Sequence, residues 1–156
     1  MPAKYVATLT QTGVSSVTGA TGTDAVGELQ SAATVRPEVY DIIFSQGGTP
    51  ADNVVRWEVM RATTSATGTA AVENALDPAW AGLNLAVTEE EITVGPTVTA
   101  DSQLYDNDLN QRASFRWVAA PSGVFVLPAT AANGIFFNCS SGAYTGIARI
   151  TVYWQE

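Results

Sequence analysis

The sequence predicts an all-β fold, an antiparallel β-sandwich of jelly-roll type with about eight or nine strands. Three observations predict it. Valine, threonine and aromatic residues gather in short runs, the runs are cut by glycine, proline and asparagine, and helical periodicity is almost completely lacking. At 156 residues the chain fits a single domain, 1–156, able to bury roughly 70% of its unfolded surface and so to hold a core without staples.

The elements follow in chain order. "KYVATLT" predicts a first strand, with Tyr5, Ala7 and Leu9 on one face and Val6 and Thr8 on the other. Residues 11–34 change to a glycine-, threonine- and serine-rich text with few large apolar side chains, which predicts an N-terminal arm or long loop. "EVYDIIFSQ" and "NVVRWEVMRAT", joined by the turn "GGTPAD", predict an antiparallel hairpin. In its second strand Val55, Trp57 and Val59 share the core face and Arg56 and Glu58 oppose them.

"TAAVENAL" predicts another short strand, and Asp77 and Pro78 in "DPAWAGLNLA" suit the start of a turn or a single helical turn. "EITVGPTVTA" carries a proline that demotes its middle to an edge or bend. "RASFRWVAA" puts Phe115 and Trp117 on one face against Arg116. "SGVFVLPA", "GIFFNCS" and "TGIARITVYWQE" complete the strands. The chain lacks the cysteine pair of a true immunoglobulin domain, and no fixed repeat points to a propeller or solenoid.

Composition limits the chemistry. With one cysteine, Cys139, and no histidine, neither an intramolecular disulfide nor a Cys/His metal cluster nor a serine or cysteine triad of the usual composition can be written. Cys139, after an apolar pair, is expected to be a small buried hydrophobe. The net charge of −8 argues against nucleic acid and anionic membrane as partners. Neither a signal-peptide pattern nor a run of ~20 apolar residues is present, so a soluble protein made in the cytosol is expected.

Paired carboxylates remain the one catalytic possibility, with Asp101, Asp106 and Asp108 or the run Glu89, Glu90 and Glu91 as candidates. Solvated loop acids explain them more simply, and no catalysis is predicted. "DNDLN" sets Asp106, Asp108 and Asn110 at alternate positions like the first ligands of a calcium loop. Gln111 and Trp117 stand where such a loop requires glycine and glutamate, so the segment is expected to be a polar turn. No P-loop or dinucleotide fingerprint is present, and no cofactor is expected. Of the four tryptophans, Trp57 and Trp117 are expected in the core. Trp80 and Trp154 are the candidate surface anchors, Trp154 also suiting a cover over the open end of the sandwich.

"YDIIFSQGGTPADNVVRWEVMRAT", "NQRASFRWVAAPSGVFVLPATAANGIFF" and "AYTGIARITVYWQE" together resemble small virion proteins of tailed bacteriophages, of the capsid decoration or cement type. The resemblance implies a β-sandwich that self-associates as a dimer or trimer and binds the major capsid protein on the outside of the shell. It carries no catalytic signature. Under it, Pro121 and Pro128 would stiffen the ends of a short strand presenting Val124, Phe125 and Val126 to core and neighbour, with Trp80 and Trp154 as further contacts. A plain core strand between ordinary turns is the alternative for that stretch. For the whole chain the alternatives are a carbohydrate- or receptor-binding module of a phage tail or fibre and, further back, an acid-pair glycosidase.

Overall fold

The structure, a computed structural model, describes residues 2–15, 25–140 and 145–156. Its strands, in chain order, are β1 (Lys4–Ser15), β2 (Ala25–Gln30), β3 (Glu38–Gly47), β4 (Val54–Ala62), β5 (Thr67–Ala70) and β6 (Glu73–Ala75), followed by a 3-10 turn at Pro78–Trp80. β7 (Val87–Val94), β8 (Val98–Asn110), β9 (Phe115–Val118), β10 (Phe125–Val126), β11 (Gly134–Ser140) and β12 (Thr145–Gln155) complete the set. Two six-stranded antiparallel sheets face each other. The first runs β10-β3-β12-β1-β6, with β9 also on β3, and the second runs β5-β7-β2-β11-β4-β8. The all-β sandwich is therefore the fold, with more strands than expected because β2 falls in the segment read as an arm or loop, and because the stretches read as single strands at "TAAVENAL" and "EITVGPTVTA" are each divided, into β5 and β6 and into β7 and β8.

The core lies between the sheets and follows the alternation of the strands. Tyr5, Ala7 and Leu9 of β1, Ile42 and Phe44 of β3, and Val55, Trp57 and Val59 of β4 are all buried in one cluster. β3 and β4 do not form the expected hairpin. β3 pairs with β12, β9 and β10 in the first sheet, while β4 pairs with β11 and β8 in the second. The connection is an arch, and the Phe44 and Trp57 rings meet across the sandwich with centroids 5.2 Å apart. Both strands carry their large residues on the core face, and facing one another across the core buries both rows, which side-by-side pairing would not do by itself.

Residues 11–34 are not an arm as far as they are described. Gln11–Ser15 ends β1, and Ala25–Gln30 is β2, buried throughout between β7 and β11. The remainder of that segment, 16–24, lies outside the described residues. Within β2 (AVGELQ) position 27 is glycine because its neighbours come close. A Cβ on Gly27 would stand 2.6 Å from Leu9 Cδ1 and 2.8 Å from the Glu89 carbonyl oxygen. Gly134, opposite Gln30 on β11, is tighter still, since a Cβ there would stand 2.1 Å from the Leu29 carbonyl oxygen.

The stretch from Arg116 to Phe137 is also clarified. β9 pairs with Phe44–Asp41 and β10 with Val39–Glu38, both antiparallel and on the same side of β3. They are one edge strand interrupted by an outward excursion at 119–124. Its turn is closed by Gly123 N–H donating to the Ala120 carbonyl at 2.7 Å, with Pro121 as second residue and Ser122 at φ 65° as third. The prolines therefore do not bracket an independent strand, because the paired part is only Phe125–Val126. Leu127 beyond it is fully buried.

Candidate interaction surface

The first sheet ends at Lys4 of β1 and Gln155 of β12, and the segment 71–88 is fastened across that end. β6 pairs with Tyr5–Ala7 of β1, and Leu76 N–H donates to the Lys4 carbonyl at 2.8 Å. Glu73 Oε1 accepts both the Thr88 N–H at 2.8 Å and the Thr88 hydroxyl at 2.7 Å. Asp77 caps the 3-10 turn by accepting from Ala79 N–H at 2.9 Å, with Pro78 as its first residue. The Glu156 carboxylate accepts from the N–H groups of Leu85 and Ala86, each at 3.0 Å, and from Trp154 Nε1 at 3.1 Å. Glu73, Asp77 and Glu156 are thus each occupied by backbone donors, while Glu38, opposite Gln155, accepts from the Gln155 amide at 2.8 Å and the exposed Lys4 ammonium lies over the Tyr40 ring. Val72, Leu76, Leu83, Leu85 and Val87 are left pointing outward, from 71% exposed at Val72 to 47% at Val87. A run of exposed apolar side chains in one segment, beside acids that are engaged internally, is chemically suited to protein contact.

The residues singled out from the sequence fall in two places. Trp80, half-buried on the 3-10 turn, packs against the core at this same end. Trp154 is not a surface anchor: it is fully buried and stacks on Tyr5 at 5.7 Å, since its inward face on β12 meets that of β1. Its role here is to orient Glu156. Pro121, Val124, Phe125, Val126 and Pro128 belong instead to the interrupted edge on β3, where only Pro121 is well exposed. Phe125 stacks on Trp117 with centroids 4.2 Å apart. Both project to the core side of the edge, because their partners on β3, Val39 and Ile42, are core residues. The exposed leucines and valines of 72–87 were not singled out from sequence. They escape notice because isolated apolar residues in turn-rich text look like strand remnants.

The candidate carboxylates also take definite places. Glu89, Glu90 and Glu91 are not solvated loop acids but lie in β7. Glu90 Oε2 accepts from Thr10 N–H at 2.8 Å, and Glu91 accepts from the Thr12 N–H and hydroxyl, so the pair sutures β7 to β1. Asp106, Asp108 and Asn110 are part of β8, not of a turn. Asp106 is held by Arg56, whose Nε donates to Oδ1 at 2.8 Å and whose guanidinium keeps that carboxyl below its ordinary range. Among the described residues no three histidine, cysteine, aspartate or glutamate side chains gather where they could hold a metal ion. Cys139 is fully buried.

One carboxylate pair emerges only in three dimensions. Glu28 of β2 and Glu89 of β7 are directly opposite in register. Glu28 is fully buried, its Oε2 accepting Ala66 N–H at 2.6 Å and Gln30 Nε2 at 3.2 Å. Glu28 Oε1 and Glu89 Oε2 are buried with no hydrogen-bond partner. Burial, with a smaller contribution from Glu89, pushes the Glu28 carboxyl up to about 7, against the pull of its two donors. Buried as it is, Glu28 offers no groove to a substrate, and the chemistry it supports is the holding of a proton. No protein family, curated protein or solved structure matches this chain.

Proposed function

We propose that the chain is a structural virion protein, made in the host cytoplasm, that binds the major capsid protein on the outer surface of a phage shell and stabilises it as a homo-oligomeric decoration protein. The proposal involves no catalytic step. The observation that carries it is the set of exposed apolar side chains Val72, Leu76, Leu83, Leu85 and Val87 on the segment that closes one end of the first sheet. Repeated over a symmetric lattice, a modest contact of this kind gains avidity without any single tight site. A sugar- or receptor-binding module of a phage tail would need an aromatic face open to its ligand. Trp57 and Trp154 are fully buried and Trp117 stacks on Phe125, which leaves the half-buried Trp80 and the tilted Tyr40–Tyr153 pair as the aromatics such a module could use, and this favours the decoration role.

The test is cosedimentation of the purified chain with DNA-free shells of a tailed-phage major capsid protein, alongside its mass in solution by light scattering. The wild-type chain is expected to form a dimer or trimer and to pellet with shells. The Leu83→Asp/Leu85→Asp variant, altered only at exposed positions, is expected to keep its unfolding midpoint and remain in the supernatant. A wild-type monomer that stays in the supernatant, or a variant that pellets like wild type, would remove the basis of the proposal.

A further inference from the structure

We propose that β8 is a docking edge for an extended basic segment of another protein, which adds to the second sheet as a further strand. Most sheet edges in the molecule are too short to serve: β5 has 4 residues, β6 has 3, β9 has 4 and β10 has 2. β8 has 13, and among the described residues only β4 pairs with it. A long strand bonded on one side presents a row of unpaired N–H and C=O groups, the template for strand addition.

The phase of that row can be worked out. Gln111 N–H donates to the Asn53 carbonyl at 2.9 Å, one step beyond the Val54–Asn110 pair. Bonded pairs alternate along an antiparallel ladder. Leu109, Asn107 and Tyr105 therefore bond to Val55, Trp57 and Val59, while Asn110, Asp108 and Asp106 turn their backbone groups to the open side. Ladder irregularities opposite Met60 and Ala62 disturb the first part of β8, so the regular docking stretch is Tyr105–Asn110.

Charge selects the occupant. β8 carries Asp101, Asp106 and Asp108 and no lysine or arginine. On the outer face Arg56 bonds Asp106, lies 3.3 Å from Glu58 and stands opposite Asp108 in register, one cation for three acids. Asp108 is exposed and its carboxylate accepts no hydrogen bond among the described residues. Pairing β8 with a second copy of itself would bring this acidic row against another, and like charges across a ladder are destabilising. A strand with lysines at alternate positions would instead set them beside Asp106 and Asp108. This contact is independent of the shell-binding end, and its assay contains no shell.

The probe is a capped heptapeptide alternating lysine with valine or threonine, titrated into the full chain with amide hydrogen exchange read at Asp106 and Asp108. Both amides are expected to slow, and the effect to fall with salt. Asp108→Lys should weaken binding about ten-fold, and N-methylation of the peptide at alternate amides should abolish it without any change to the protein. Absence of slowing at these amides, equal binding of a glutamate-for-lysine peptide, or concentration-dependent protection of β8 by the protein alone would overturn the proposal, the last pointing to a second copy as occupant.

Discussion

Replacing Glu28 with glutamine should make the protein more stable at neutral and alkaline pH and leave it nearly unchanged in acid. Glu28 is fully buried beside Glu89, and its carboxyl is raised from 4.5 to about 7, chiefly by burial. A raised carboxyl means that the fold binds this proton more tightly than the unfolded chain does. Its stabilising share is fully present below about 4.5, declines as pH rises through the interval up to about 7, and is flat above. Over the whole interval the ionised fold forgoes about 3 kcal/mol, of which about 2.5 kcal/mol falls between pH 5 and pH 8. Glutamine keeps an acceptor for Ala66 N–H and offers an N–H toward Glu89, so it imitates the protonated acid. The assay is urea unfolding followed by tryptophan fluorescence at intervals from pH 5 to pH 8, for wild type and Glu28→Gln. The difference in unfolding free energy should grow with pH in favour of the variant and level off near neutrality. A difference that does not change with pH, or wild type gaining on the variant as pH rises, would refute a proton held at Glu28.

Gly134→Ala should lower stability by about 2 kcal/mol or more in denaturant unfolding, because its Cβ would meet the Leu29 carbonyl oxygen at 2.1 Å and β2 and β11 would have to part. Ser122→Gly should raise stability by about 0.5 kcal/mol, since φ 65° strains serine and suits glycine, and the thermal midpoint should move upward. A double-mutant cycle with Trp117→Leu and Phe125→Leu should return a coupling of about 1 kcal/mol for the stack at 4.2 Å; a coupling near zero would mean that the two rings only share a groove.

Face assignments were legible in the sequence where large and small residues alternate. Tyr5, Ala7 and Leu9, and Val55, Trp57 and Val59, all point where the alternation puts them. Pairing was not legible, because alternation tells which side of a strand is buried and not which sheet it joins. β3 and β4 accordingly read as a hairpin although they face each other across the core. β2 was missed for another reason. Its first half, Ala-Val-Gly, follows glycine- and threonine-rich text and reads as more of the same, yet Gly27 is there because Leu9 and the Glu89 carbonyl leave no room for a side chain. The capped turn at Asp77 and Pro78 was legible because its signal is local. The apolar end was not, since the segment holding Val72, Leu85 and Val87 is fixed by contacts distant in sequence, among them the bonds of Glu73 and Glu156 and the Ala71 N–H to Thr88 carbonyl bond.

Those bonds also change what the acidic composition means. With fifteen acidic and seven basic side chains, the chain cannot pair most of its carboxylates with cations. Many are used instead as acceptors for backbone N–H groups that the ladders leave over: Glu28 for Ala66, Glu73 for Thr88, Asp77 for Ala79, Glu90 for Thr10, Glu91 for Thr12 and Glu156 for Leu85 and Ala86. Hydrogen bonds to a charged acceptor are stronger than neutral ones, so each fixes a crossing or an edge that would otherwise have to be tied through solvent. The same turning-in of carboxylates explains why one end of a chain of net charge −8 can present an apolar surface with its local charges spent. At β8 the sequence has no comparable use for Asp108, and there the negative charge faces outward. The two surfaces are thus complementary products of one imbalance: where a carboxylate finds a backbone donor the surface becomes fit for apolar contact, and where it finds none the surface becomes fit for a cation.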